Sequence, residues 1–214
     1  MDWERWHDDY DNPGTWQARR LATVQARIRD VLDSAPPGPL RVISLCAGQG
    51  RDLLGVLADH PRGNDVRARL VELDPRNTAP AEAAARAAGL DQVEVVTADA
   101  SLTDHYRGMA PADLVLVCGL FGNITDEDIE RTVDTCTRLC ASGGTVIWTR
   151  TRKEPDVVPR ICGWFEERGF ERRWLSEPDA GFGVCVHRFG GVPEPLGDGA
   201  RMFTFVGYDV LRLG

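Results

Sequence analysis

The sequence predicts a doubly wound, mainly parallel α/β sheet with helices on both faces. Three observations carry this. Short apolar runs alternate with helix-like stretches from residue 40 onward. Glycine and proline punctuate the joins. The first apolar run also ends in a glycine turn that opens a helix. With 214 residues, 43% of them hydrophobic, the chain can bury a substantial core, and its length suits about one to one-and-a-half domains.

The elements follow in order. Residues 15–32 place Leu21, Val24, Ile28, Val31 and Leu32 at helical spacing. Ala35-Pro36-Pro37-Gly38-Pro39 is a stiff break before the first strand. Strict alternation comes next: strand 41–47, helix 50–59, strand 68–74, helix 79–88 closed by Gly89, strand 93–99, then strand 112–119. The helix 126–140 has Thr125 as N-cap with Asp128 three residues on, and Gly143-Gly144 as its stop. Strand 145–151 and helix 156–168, closed by Gly169, follow. The tail offers strands at 171–176, 183–189 and 202–206. Residues 1–34 read as an N-terminal helical segment and 35–214 as one structural unit.

Charge and composition exclude several classes. The net charge is −8, whereas a protein that grips phosphate backbones presents a basic face; a nucleic-acid substrate is not expected. No apolar run reaches the roughly 18 to 20 residues that span a bilayer, so no membrane association is expected. The acidic N-terminus, with no apolar middle, is not a signal peptide. The six cysteines (46, 118, 136, 140, 162 and 185) form no C-x-x-C pair and read as reduced thiols of a cytoplasmic protein. No metal-ligand spacing stands out. A homodimer is left open.

The chemistry concentrates at three strand ends. The run from Arg41 closes in Cys46-Ala47-Gly48-Gln49-Gly50, where glycines allow a sharp turn and close approach of a ligand to the main chain. The helix start beyond offers free N–H groups and a positive dipole end. Glu72-Leu73 ends the next strand, with Glu72 22 residues after Gly50, the spacing at which an acid accepts hydrogen bonds from ribose hydroxyls. Asp74 is its rival, one or two residues along. The third strand ends in Asp99-Ala100. The full G-x-G-x-x-G fingerprint is absent, because Leu53 stands three beyond Gly50, and no Lys-Ser/Thr follows as in a P-loop.

This ordered set, over roughly residues 40 to 190, resembles the class I S-adenosylmethionine-dependent methyltransferases. The resemblance implies a Rossmann-like sheet of seven strands, one of the two closing strands antiparallel. It makes Cys46, Ala47, Gly48, Gln49 and Gly50 the cofactor turn, Glu72 and Leu73 the ribose site, and Asp99 and Ala100 the adenine site. Cys118 and Gly119, at the end of strand four, would also touch the cofactor. The chain departs from the usual first motif in carrying Cys46-Ala47 where an aspartate or glycine is common.

The reaction implied is transfer of a methyl group to a small-molecule acceptor, at oxygen by preference. Phe121 and Asn123, in the glycine-flanked loop after strand four, would face that acceptor, as would Arg150 at the end of strand five. Trp3, Trp6, His7, Tyr10 and Trp16 form an aromatic N-terminal segment that reads as a lid. Tyr10 would meet the acceptor there, and Arg20 would hold the cofactor's carboxylate. Catalytic residues are not identifiable: His7 and His187 are thin candidates, His60 precedes Pro61 in a turn and reads as solvent-facing, and His105 lies in the loop after strand three. After strand four no Asp-Pro-Pro-Tyr-like tetrapeptide occurs, which weighs against nucleobase amino methylation. Two alternatives stay open: a protein that binds the cofactor without methyl transfer, and another enzyme of Rossmann-like fold.

Overall fold

A computed structural model describes residues 10, 12 and 14–211. After the N-cap Thr15, whose hydroxyl accepts the Ala18 amide, helix α1 runs Trp16–Ser34 and buries Val24, Ile28 and Leu32. The following Pro-rich break is tied down by Arg62, whose guanidinium donates to the carbonyls of Leu32, Ala35, Pro36 and Gly38. Alternation then proceeds as β1 (Leu40–Leu45), α2 (Arg51–Leu57), β2 (Val66–Glu72), α3 (Pro75–Ala87), β3 (Val93–Thr97), β4 (Ala112–Val117), α4 (Asp126–Leu139), β5 (Cys140–Thr151), α5 (Val158–Glu167), β6 (Phe170–Leu175) and β7 (Phe182–Phe189). A four-residue helix α6 (Tyr208–Leu211) follows.

The seven strands form one sheet in the order β3-β2-β1-β4-β5-β7-β6. Strands β1 to β5 run parallel, and β7 pairs antiparallel with β5 and β6. Side chains alternate between the two faces. Ile43, Leu45, Val115, Val146 and Trp148 pack with Ile129 and Val133 of α4 and Ile161 and Phe165 of α5. Val42, Leu114, Leu116 and Ile147 face α1, α2 and α3 on the other side. Strands covered on both faces explain the near-continuous apolar runs in the sequence. The chain leaves β1 outward to β2 and β3, then returns to place β4 on the other side of β1. That reversal opens a crevice beyond the carboxyl ends of β1 and β4, where ligands bind in sheets of this kind.

Three sequence expectations are corrected. Gly143 and Gly144 do not stop α4, which passes directly into β5. They lie at a register shift in that strand, where a Cβ on Gly144 would sit 3.0 Å from the carbonyl oxygens of Ala112 and Ala141; the glycine serves close backbone approach. Residues 202–206 form no strand, only a segment flanked by a single bridge between Leu102 and Arg201. His60 is buried rather than exposed. Its Nδ1 accepts the Arg62 amide, so Nε2 carries the proton and faces Asp33 at 3.1 Å.

Candidate functional site

The crevice holds a cavity of about 380 Å³, a volume typical of small-ligand sites. Its floor is the β1–α2 turn. Gly48 and Gly50 have φ of +55° and +67°, and Cys46 is the sole non-glycine residue with positive φ among those described, at +49°. A strained backbone at a non-glycine residue is a local cost that functional sites retain. At Gly50 a Cβ would lie 2.6 Å from Leu70 Cδ2 and 2.9 Å from Leu54 Cδ1, so the helix can start only on glycine here.

Glu72 bridges this turn to the end of β2. Its Oε2 accepts the Gly48 amide at 2.9 Å and its Oε1 the Asp74 amide at 3.0 Å. Two backbone donors fix the carboxylate in place while each oxygen keeps a further lone pair. Asp74 also lines the cavity but is otherwise engaged: it caps α3 through the Arg76 amide and pairs with the Arg76 guanidinium at 2.6 Å. Hydrogen bonds from Arg76 hold its carboxyl below the ordinary range. Leu73, between the two acids, is exposed on the rim.

At the end of β3, Asp99 Oδ1 accepts the Ser101 amide at 3.0 Å and Oδ2 accepts Arg201 Nη1 at 3.0 Å. Burial pushes this carboxyl up, but hydrogen bonds from Ser101 and Arg201 outweigh it and leave it low. Ala100 beside it is buried. At the end of β4, Gly119 (φ +80°) donates its amide to Thr149 Oγ1 at 2.8 Å. Cys118 is hydrogen-bonded to Asp52, and burial raises its thiol well above the usual value. The glycine turn, Glu72, Leu73, Asp99, Ala100, Cys118 and Gly119 thus converge on one cavity; of the turn, Gly50 lies behind the lining.

Asp52 was not singled out in the sequence. It lies in the first turn of α2, lines the cavity, and its carboxyl is raised by burial against the opposing pull of the Leu53 amide and Arg20. Its only local signal is an acid in the first turn of a helix after a glycine turn. Arg20 is buried on α1 and donates to the Tyr10 hydroxyl; its guanidinium also lies 5.4 Å from the Trp16 ring centroid. Burial pushes the Tyr10 phenol up to about 12, partly offset by Arg20, so it is protonated at neutral pH. Both residues line the cavity.

The other expected acceptor residues, Phe121, Asn123 and Arg150, do not. Phe121 is fully buried and packs on Trp148 with ring centroids 5.7 Å apart. The loop is not exposed, because its apolar Leu120 and Phe121 turn inward toward α4. Asn123 is structural: Nδ2 donates to the Gly119 carbonyl at 2.7 Å, and Oδ1 accepts the Tyr208 amide at 3.0 Å. Arg150 lies under that loop, with Nη1 3.1 Å from where a Gly122 Cβ would stand, and is outside the lining.

His187 is also corrected. It sits in the core of β7, stacked on Phe165 with centroids 4.7 Å apart, and Trp148 Nε1 donates to its Nδ1 at 3.1 Å. Burial, helped by Arg172, lowers its pKa to about 3. It forms a buried trio with Cys162 and Cys185, all ligand atoms within 4.8 Å. The Trp148 bond occupies the Nδ1 lone pair and puts the ring proton on Nε2, so neither nitrogen is ready for a metal. His7, Trp3 and Trp6 lie outside the described residues.

Among the other cavity residues missed in the sequence are Phe203 and Phe205. They belong to a C-terminal strap held by Met202 N to Ser101 O at 2.8 Å, Thr204 N to Asp128 Oδ2 at 2.7 Å, and Val206 N to Asn123 O at 2.9 Å.

This fold is the Rossmann-like one that methyltransferases of known structure share. Residues 42–144, just under half of the chain, match the family model of a methyltransferase domain. An O-methyltransferase family protein from Burkholderia thailandensis superposes with a TM-score of 0.66 at 17% identity, over 85% of this chain and 58% of that one. From the same organism, 1,6-didemethyltoxoflavin-N1-methyltransferase, solved with 1,6-didemethyltoxoflavin and S-adenosylhomocysteine, gives 0.62 at 17%, over 88% and 86%. An O-methyltransferase family 2 protein from Planctomyces limnophilus in complex with apigenin gives 0.61 at 18%, over 80% and 58%. The chain thus spans little more than half of the first and third of these. No curated protein matches it by sequence. Among the described residues, no helix is long and apolar enough to cross a membrane.

The donor set suits the cofactor. A glycine turn with positive φ admits close approach, and an anchored carboxylate at Glu72 suits a ribose. The oppositely charged Arg20 and Asp52, coupled to one another in the cavity wall, suit an amino-acid zwitterion.

Proposed function

We propose that this protein transfers a methyl group from S-adenosylmethionine to a hydroxyl of a small molecule. The observation that carries this reading is Glu72, pinned by the Gly48 and Asp74 amides at the edge of the cavity that the glycine turn floors. When bound, the cofactor supplies an activated methyl on a good leaving group. The chain's own work is then to position and to exclude water. Glu72 would hold the ribose, Asp99 the adenine side, and Arg20 with Asp52 the amino-acid end. The protonated Tyr10 phenol, its oxygen turned to Arg20, orients groups by donating a hydrogen bond rather than by taking a proton.

Support for oxygen comes from the O-methyltransferase neighbours, and support for a small acceptor from the neighbours solved with apigenin or a toxoflavin precursor. The acidic net charge of −8 speaks for a small acceptor over a polynucleotide. Calorimetric titration with S-adenosylmethionine, S-adenosylhomocysteine and NAD tests the reading: binding of the first two and not the third is expected. Preference for NAD, or salt-dependent methylation of RNA, would overturn it.

A further inference from the structure

The C-terminal strap crosses the cavity mouth in a definite direction. It is tied first to the end of β3, where Arg201 Nη1 reaches Asp99 Oδ2 and Ser101 Oγ and Met202 N reaches Ser101 O. It is tied last to the loop after β4, where the Val206 and Gly207 amides donate to the Asn123 carbonyl and the Tyr208 amide to Asn123 Oδ1. Between these anchors Thr204 N donates to Asp128 Oδ2. The backbone is therefore held at both ends and in the middle.

Phe203 and Phe205 are the two it presents. Two residues apart on the strap, both line the cavity. Phe203 is buried beside the β3 end, whereas Phe205 is 47% exposed and lies nearer the β4 loop. The nucleoside site at Glu72 and Asp99 accounts for the β2–β3 side of the cavity. Phe205 is carried past it, toward the β4 side and the outer rim. Tyr10, from the opposite end of the chain, lines the same cavity. An aromatic side chain at a rim favours a flat ring over an open chain, because stacking adds attraction beyond the area covered.

Resting on the proposed methyl transfer, the geometry points to Phe205 as the acceptor-selecting residue, and to a flat aromatic or heteroaromatic hydroxyl compound as the acceptor class. Apolar surface at that position additionally keeps water from the transferring methyl.

The test uses the full chain loaded with S-adenosylhomocysteine and three flat phenols as probes: catechol, a dihydroxycoumarin and a hydroxyflavone. Cyclohexanediol serves as the non-aromatic control. The parent protein and its Phe205→Leu and Phe205→Tyr variants are titrated calorimetrically. At least one phenol is expected to bind the parent and Phe205→Tyr, and to lose about five- to tenfold in Phe205→Leu, while cyclohexanediol binds none of them. Affinity for S-adenosylhomocysteine, measured first in each variant, is expected to change less than twofold. Unaltered phenol binding in Phe205→Leu, equal binding of cyclohexanediol, silence of all three phenols, or a parallel loss of S-adenosylhomocysteine each overturns the assignment. Failure of the parent to bind S-adenosylhomocysteine at all would instead sink the methyltransferase reading beneath it.

Discussion

Replacing Glu72 by alanine removes the acceptor that two backbone amides share. In the parent, Oε2 takes the Gly48 N–H at 2.9 Å and Oε1 the Asp74 N–H at 3.0 Å. Both oxygens retain a second lone pair, and it is there that a ribose diol would donate. A hydrogen bond to a charged group contributes about 1.5 to 3 kcal/mol. Losing the carboxylate while water partly replaces it should cost about 2 to 3 kcal/mol of cofactor binding, or about 30- to 150-fold in Kd. Stability should fall as well, by about 1 to 2 kcal/mol, because the Gly48 and Asp74 amides lose their acceptor. Isothermal titration with S-adenosylhomocysteine reads the first effect and urea unfolding the second. Asp74→Ala is the control: it uncaps α3 and frees Arg76, costing about 1 kcal/mol of stability, with binding reduced much less. A loss of binding in Asp74→Ala as large as in Glu72→Ala would show that the cavity uses the other acid. A Glu72→Ala protein within threefold of the parent would remove the ribose assignment.

Three further outcomes follow from the same structure. Gly50→Ala forces a side chain into a left-handed turn and to 2.6 Å from Leu70 Cδ2, so it should destabilise by about 2 to 3 kcal/mol and weaken S-adenosylhomocysteine binding; an unfolding midpoint equal to the parent's refutes this. His187 binds a proton below about 6.5 when unfolded but only near 3 when folded. Between those values the unfolded chain holds more protons, so stability drops as the pH is lowered, by about 2 kcal/mol from pH 7 to 5. His187→Leu should flatten that slope relative to the parent, and parallel slopes would disprove the role. Deleting residues 1–12 removes Tyr10 from Arg20; methyl transfer should drop by at least tenfold with a smaller loss of cofactor affinity, and undiminished turnover in the truncated protein would dismiss the N-terminal segment as a cover.

The order of elements and the cofactor end of the cavity were legible in the sequence, because both are local. Apolar runs mark β1 to β5, and a strand, a glycine turn and a helix lie within a dozen residues of each other at 40–57. Glu72 and Asp99 could be placed because parallel strands end on the same side of a sheet, whatever packs around them. The choice of Glu72 over Asp74 was not local: it depended on the Gly48 amide, 24 residues away, and on Asp74 being drawn into the cap of α3. The acceptor side depended wholly on contacts between distant parts of the chain. Phe121 looked exposed between two glycines, yet Trp148 offered it a core, and apolar burial outweighed loop character. Residues 202–206 carried a strand-like pattern, but they join neither edge strand of the sheet, β3 or β6. Arg201 found Asp99 across 102 residues, and Val206 found Asn123, instead. Periodicity reports which face of an element is apolar; it is silent on which remote loop an irregular segment will cross, since that is decided by partners whose positions exist only once the sheet has formed.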